Sequence, residues 1–271
     1  MKKTFRIMSL IILLMFSFFL TNKIKILITD LDSIMINIKK DYKKYEKKGH
    51  DAVVFKEKMI PGISKKKINI ISSYRKMRKY GSYNKNYYIY DTVKPDESIE
   101  NNKNKYIYKG NILKKMVSIN FIISDTKTIK NLILILNKHK VKATFFVNEI
   151  WISKNLELAN LISKLGYTIG IDKIDDYKYM KTILKKVLKE KNIYCKYYDK
   201  NSVKKCEKVN GYSIEGVVVN NDFYKNTSIN LYSGLIISYT DKSVEKELDN
   251  IILYIKKKGF TITDLDTHII E

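Results

Sequence analysis

The stretch from Lys115 to Gly170 constrains the fold more than any other, because its apolar pattern switches repeatedly between a continuous run and a helical repeat. Met116 to Ile123 (MVSINFII) is an almost unbroken apolar run, as in a strand buried on both faces. Ile129, Leu132, Ile133 and Leu136 then recur at helical spacing. Lys142 to Val147 (KATFFV) reads as a second short buried strand, and Leu158, Leu161, Ile162 and Leu165 as a second helical stripe. Gly166 supplies the left-handed residue that closes such a helix, and Tyr167 to Ile171 is a third strand. Strands alternating with helices of this length predict a parallel α/β sheet or barrel.

The rhythm continues downstream. Asp176 to Asn192 predicts a Lys-rich amphipathic helix with Met180, Ile183, Leu184, Val187 and Leu188 on its apolar face. Tyr212 to Val219 and Leu235 to Tyr239 read as buried strands. Val244, Leu248, Ile251, Ile252 and Ile255 mark a helix closed by Gly259, and Phe260 to Ile262 a last strand. Upstream the signals are weaker. Asp32 to Lys47 suits a short stalk helix or a partly disordered segment. Asp51 to Phe55 suits a strand, Met59 to Ser64 a turn, Ile71 to Tyr80 a helix closed by Gly81, and Tyr87 to Tyr90 a strand. Tyr106 to Asn111 leads into the first core strand.

VKATFF (Val141 to Phe146) and the following NEIWISKNLELANLISKLGYTIG, with KMVSINF before them, resemble the polysaccharide deacetylase family and its NodB-homology domain. The resemblance covers Lys115 to about Glu271. It implies a distorted (β/α) barrel of about seven strands, with sites at the C-terminal strand ends. The resulting domain reading is a signal segment over 1–22, a membrane-proximal extension over 23–111, and the deacetylase-like domain over 112–271. The IPGIS turn, the YRKM helix and the YIYKGN lead-in resemble the extension of a Firmicutes subgroup in which the catalytic aspartates also tend to be replaced.

The family's reaction, as the resemblance implies, removes an N-acetyl group from a glycan with metal-activated water. It needs ligands for a divalent metal such as zinc, a base and an acid. Two aspartates are expected after the family Phe, here Phe121. The next residues are Ile122, at the base position, and Ile123, at a metal position. The two metal-binding histidines fall on Asp172 and Asp176, and the general acid on Thr240. The Arg-Pro motif expected near Tyr194 to Tyr197 has neither residue. None of the three histidines, His50, His139 and His268, stands at a ligand position, and His139 and His268 read as solvated surface residues. Asp125, Asp172 and Asp176 form an oxygen-rich set suited to a hard cation, or else are helix-start acids. Trp151, the only tryptophan, either stacks on a sugar ring or packs its loop.

Lys2, Lys3 and Arg6 precede an uncharged apolar run from Ile7 to Leu20 with no small-residue cleavage pattern after it. This reads as an uncleaved signal anchor through residues 7–20, with the rest of the chain outside a single-pass cell membrane; a cleaved signal is the alternative. In an exported chain the two cysteines, Cys195 and Cys206, invite a disulfide, with free thiols as the alternative. The formal charge of +24 rests almost wholly on lysine. It favours anionic envelope polymers over nucleic acid, for which arginine is the usual reader. Three functional readings follow: a catalytically degenerate barrel that binds wall glycan or a partner, an active deacetylase with an aspartate-rich site, and a basic anchor on anionic polymer.

Overall fold

The computed structural model describes residues 2–188, 192–219, 230–240 and 242–271. From the N-terminus these form α1 (Lys2–Leu31), α2 (Ser33–Tyr45), β1 (Val53–Phe55), β2 (Lys58–Ile60), β3 (Lys65–Ile68), α3 (Ile70–Lys79), β4 (Tyr90–Val93) and β5 (Tyr106–Ile107). The alternating part begins with β6 (Met116–Ile122), α4 (Thr126–Lys138), β7 (Thr144–Val147), α5 (Glu149–Lys154), α6 (Leu156–Lys164), β8 (Thr168–Ile171), α7 (Tyr177–Leu188) and β9 (Tyr194–Lys196). It continues with α8 (Lys200–Lys208), β10 (Tyr212–Ile214), β11 (Val217–Val219), β12 (Leu235–Tyr239), α9 (Val244–Lys257), β13 (Thr261–Thr263) and α10 (Leu265–His268). The helix expected to reach Asn192 is described to Leu188; residues 189–191 lie outside the described residues.

The chain divides into two units, Met1–Lys48 with Lys65–Val93, and Gly49–Ser64 with Lys94–Glu271. The segment 23–111, expected as a single extension, is thus shared between them. In the first unit, α2 and α3 close over a small core of Ile34, Met35, Ile38, Ile68, Tyr74, Met77 and Tyr88. Asp32 caps α2 by accepting from the Ile34 N–H at 2.8 Å, and its other oxygen accepts from the Tyr74 hydroxyl at 2.9 Å. The antiparallel pair β3–β4 completes this unit. The α1 helix contains one stretch long and apolar enough to cross a membrane, Met8–Leu31, with mean hydropathy 2.0. The apolar run that ends at Leu20 therefore continues as helix past Lys23 and Lys25 and gains the length that the run alone lacks.

The second unit is one curled sheet in the order β1-β2-β5-β10-β9-β8-β7-β6-β12-β11, with β13 beside β6. Its strands pair in parallel throughout, apart from β1 with β2. It reaches eleven strands because β1, β2 and β5, from ahead of Met116, join the barrel strands. The side chains of β6 alternate as a pleat demands. Val117, Ile119, Phe121 and Ile123 pack under the helices with Leu132 and Leu136 of α4 and Leu248 and Ile251 of α9. Ile122 turns the other way, into a second cluster with Phe146, Tyr194, Ile214 and Ile236. Phe121 and Phe145 stack with ring centroids 5.4 Å apart, both fully buried. Each such burial contributes about 1.5–3 kcal/mol. Gly170 of β8 makes room for the Phe146 ring, since a Cβ there would lie 2.6 Å from it.

Because β6, β7, β8 and β9 run parallel, their C-terminal ends open on one mouth. Their starts are closed by α10. Thr168 at the start of β8 donates to Asp264 at 3.1 Å or to Asp266 at 3.0 Å, and the Tyr194 hydroxyl donates to Asp266 at 2.7 Å. The Leu265 N–H donates to Thr144 at 3.1 Å. His268 is fully buried here, against Gly110, and not solvated as its place near the terminus suggested. The short α10 turns its ring under the sheet. Burial lowers the His268 imidazole to about 4. The expected solvation of His139, which follows α4, also gives way, since its Nε2 lies 2.6 Å from Asp249 of α9.

Candidate functional site at the barrel mouth

The end of β6 is aliphatic. Ile122 is half-buried in the inner cluster, and Ile123 is 4% exposed in the outer one. Neither offers a lone pair to a proton or a metal, and both contribute to packing. Thr240 follows the last residue of β12 and is exposed.

Each aspartate of the proposed oxygen set has local work. Asp125 caps α4, accepting from the Thr128 N–H at 2.9 Å and the Thr128 hydroxyl at 2.6 Å. The Thr128 hydroxyl foremost, with its N–H, holds the Asp125 carboxyl below the usual range. Asp176 opens α7, accepting from the N–H groups of Lys178 at 2.9 Å and Tyr179 at 3.2 Å. Asp172 accepts from the Tyr198 hydroxyl. Among the described residues no three His, Cys, Asp or Glu side chains come together as a metal-holding group. The described residues therefore do not fit a divalent metal of the kind the resemblance implies. Two of the three aspartates are spent on helix starts, as capping chemistry favours.

Trp151 is 5% exposed and belongs to the outer core, with its indole N–H donating to Thr126 at 3.0 Å. It fixes the loop after β7, because Asn148 accepts from its backbone N–H at 2.8 Å. A ring so enclosed has no face for a sugar, so the stacking reading of Trp151 is corrected to packing.

The polar feature of the mouth lies two strands from β6. A cavity of about 300 Å³ opens between the ends of β8 and β9, with Asp172, Asp175, Lys196, Tyr198 and Asn201 on its wall. Cys195 also lines it and is joined to Cys206 of α8 by a disulfide, Cα to Cα 5.9 Å, which ties the end of β9 to the next helix. Lys196 is 6% exposed and makes no hydrogen bond or ion pair with a described residue. Burial holds its ammonium below the usual lysine range, while Glu215 and Asp172 pull it partly back. Tyr198 is 47% exposed, and burial of its hydroxyl with the bond to Asp172 raises its pKa. Lys173 approaches the Tyr198 ring at 5.3 Å. The wall thus combines a desolvated cation, a fixed carboxylate, an amide and an exposed ring. Such a set can bind polar, ring-shaped molecules. Sequence reasoning passed over Lys196 because a lysine after Tyr194 and Cys195 looks like one more member of a lysine-rich surface.

Comparison with known proteins agrees with this fold. Residues 109–194 match the polysaccharide deacetylase family model. A Bacillus subtilis relative, the uncharacterized protein YlxY, is 39% identical over 130 residues, which is 46% of this chain and 40% of that protein. The chain therefore spans less than half the length of this relative. Among solved structures, wild-type BA3943 from Bacillus anthracis, described as a CE4 family pseudoenzyme, superposes with TM-score 0.57 and 21% identity over 88% of this chain and 95% of that one. A BA3943 mutant described as having restored enzymatic activity gives TM-score 0.58 and 20% identity, over 88% and 98% of the two chains. At these identities the likeness speaks for the fold. Residues 109–194 thus match the polysaccharide deacetylase family, in a NodB-like fold with isoleucine where the resemblance puts the base and a metal ligand.

Proposed function

We propose that this protein is a membrane-anchored pseudo-deacetylase of the cell envelope, whose barrel binds wall glycan without deacetylating it. The observation that carries the reading is the contrast within one mouth. The end of β6 is packed as core, through Ile122 and Ile123, while the cavity at β8 and β9 keeps Asp172, Lys196 and Tyr198 around open space. In this reading α1 holds the chain in the cell membrane, with the barrel on the outer side.

An active enzyme with an aspartate-rich site would need free carboxylates close together, and Asp125 and Asp176 are bound to the helices they start. The test is co-sedimentation of the detergent-solubilised full chain with purified peptidoglycan at rising salt. Binding should survive salt that screens surface charge, and should weaken in Lys196→Met and Tyr198→Ala. Binding that disappears at moderate salt and is the same in both variants would mean a general basic attraction, and would overturn the proposal.

A further inference from the structure

A second cavity, of about 500 Å³, lies in the membrane-proximal unit between α1 and α3. Its wall carries Lys25 from α1 and Arg75, Arg78 and Lys79 from α3, with Ile26 and Ile71 between them. The chain has only three arginines, Arg6, Arg75 and Arg78, among 52 basic residues. Two of them meet here, one helical turn apart. A planar guanidinium grips a phosphate through two parallel N–H bonds, which an ammonium cannot do.

The acids nearby are already engaged. Asp30 pairs with Lys39 at 2.7 Å, and Asp32 is held by Ile34 and Tyr74. Lys25, Arg75 and Lys79 have no side-chain hydrogen bond or ion pair with a described residue, and Arg78 donates only to the Tyr74 hydroxyl, at 3.3 Å. Four cations therefore face one groove whose single lining carboxylate, Asp30, is paired with Lys39, and Asp32 beside Arg78 is held by Ile34 and Tyr74, which leaves the cations in excess.

The depth of the groove on α1 says what would fill it. The uncharged stretch from Ile7 to Asn22 spans roughly 24 Å at 1.5 Å per residue, short of the ~30 Å hydrocarbon core. Completing the core draws in Ile24, Ile26, Leu27 and Ile28, which are 57%, 62%, 63% and 62% exposed. Lys25 then stands where it can reach the headgroup level, as lysines at helix ends do. The groove begins at that level, with exposed isoleucines on its lipid side and guanidinium groups on its polar side.

We infer that the groove between α1 and α3 binds the phosphate of an anionic phospholipid, with the acyl chains along Ile26 and Ile71. The inference rests on the reading of α1 as a membrane anchor. The experiment uses the full chain in lipid nanodiscs of phosphatidylcholine, with or without phosphatidylglycerol, and reads hydrogen exchange over residues 70–80 together with the unfolding temperature. Phosphatidylglycerol should slow exchange there and raise the unfolding temperature. Both effects should be lost in Arg75→Gln/Arg78→Gln and kept in part in Arg75→Lys/Arg78→Lys. The same protection in both lipids would overturn the site, as would inorganic phosphate reproducing it in detergent, which would make the ligand a free anion. Alkaline extraction of vesicles reads the anchor separately. Retention without a phosphatidylglycerol effect removes the lipid site alone, and release of the chain removes the anchor and the site with it.

Discussion

The two ends of the barrel strands use polar residues in opposite ways. At the closed end, Thr144, Thr168, Tyr194, Asp264 and Asp266 are joined in hydrogen bonds, and α10 covers them. At the open end, Lys196 is similarly enclosed but makes no hydrogen bond or ion pair with a described residue, with Glu215 and Asp172 acting on it only through their charge, and Asp172 and Tyr198 face a cavity. Buried polar groups that satisfy one another serve architecture, because breaking one leaves its partner desolvated. A buried charge that lacks a direct hydrogen bond or ion pair costs stability, and the proposed function assigns Lys196 to binding on that ground, whereas the buried His268 ring of the closed end, also without a hydrogen bond, stays neutral.

The sharpest challenge to this contrast comes from Trp151, which lies at the mouth end and packs like core. Trp151→Ala should cost about 3–5 kcal/mol in chemical denaturation, while Trp151→Phe should keep peptidoglycan binding. If Trp151→Phe folds normally and loses binding, the ring belongs to the site after all.

At the closed end His268 gives the next largest effect. Burial lowers its folded pKa to about 4, below the ordinary value of 6.5. The unfolded chain therefore takes up a proton first as pH falls. This contribution to stability is intact above about 6.5 and is lost progressively toward about 4, amounting to roughly 3 kcal/mol. Denaturation curves across that window should slope less steeply for His268→Asn than for the parent chain. Thr168→Val comes third. It leaves Asp264 and Asp266 short of a donor and should cost about 1–3 kcal/mol with peptidoglycan binding unchanged.

Lys196→Met should do the reverse. Removing a buried cation that makes no direct ion pair with a described residue should leave stability within about 0.5 kcal/mol or raise it, while peptidoglycan binding weakens about tenfold. A large loss of stability would place Lys196 with the closed end and erase the distinction.

Much of the barrel was legible because its signals are periodic. The strands β6, β7 and β8 are buried on both faces, and α4, α6 and α9 carry stripes at helical spacing, so packing and pattern agree. Gly166 and Gly259 take φ of 82° and 78° at the ends of α6 and α9, as closing glycines should. The extension was less legible. The strand β3 reads Lys65-Lys66-Lys67-Ile68, and pairing with β4 defines it, since its three lysines mark no buried face. The strand expected over Tyr87 to Tyr90 forms at Tyr90–Val93 instead, after a 3-10 turn at Lys85–Tyr87. The single strand expected from Tyr212 to Val219 breaks at Gly216, because β10 pairs with β9 while β11 pairs with β12 on the other side of the sheet. A Cβ at Gly216 would lie 2.4 Å from the Ser238 hydroxyl.

For the site, the sequence exposed what is missing at Ile122 and Ile123, since a resemblance makes a replaced residue visible. It did not expose Lys196, because one lysine among many has no pattern, and only burial sets it apart. It misjudged His268 because nearness to a chain end says little about which way α10 turns.

Acetate release from N-acetylated peptidoglycan and chitooligosaccharides by the purified full chain tests the central claim most directly, with zinc, cobalt, manganese or calcium added and chelator as the control. The account predicts no release under any of these conditions from protein that is folded and binds peptidoglycan. Metal-dependent release that is abolished in Asp172→Ala would contradict it, and would make the mouth a working catalytic site despite Ile122 and Ile123.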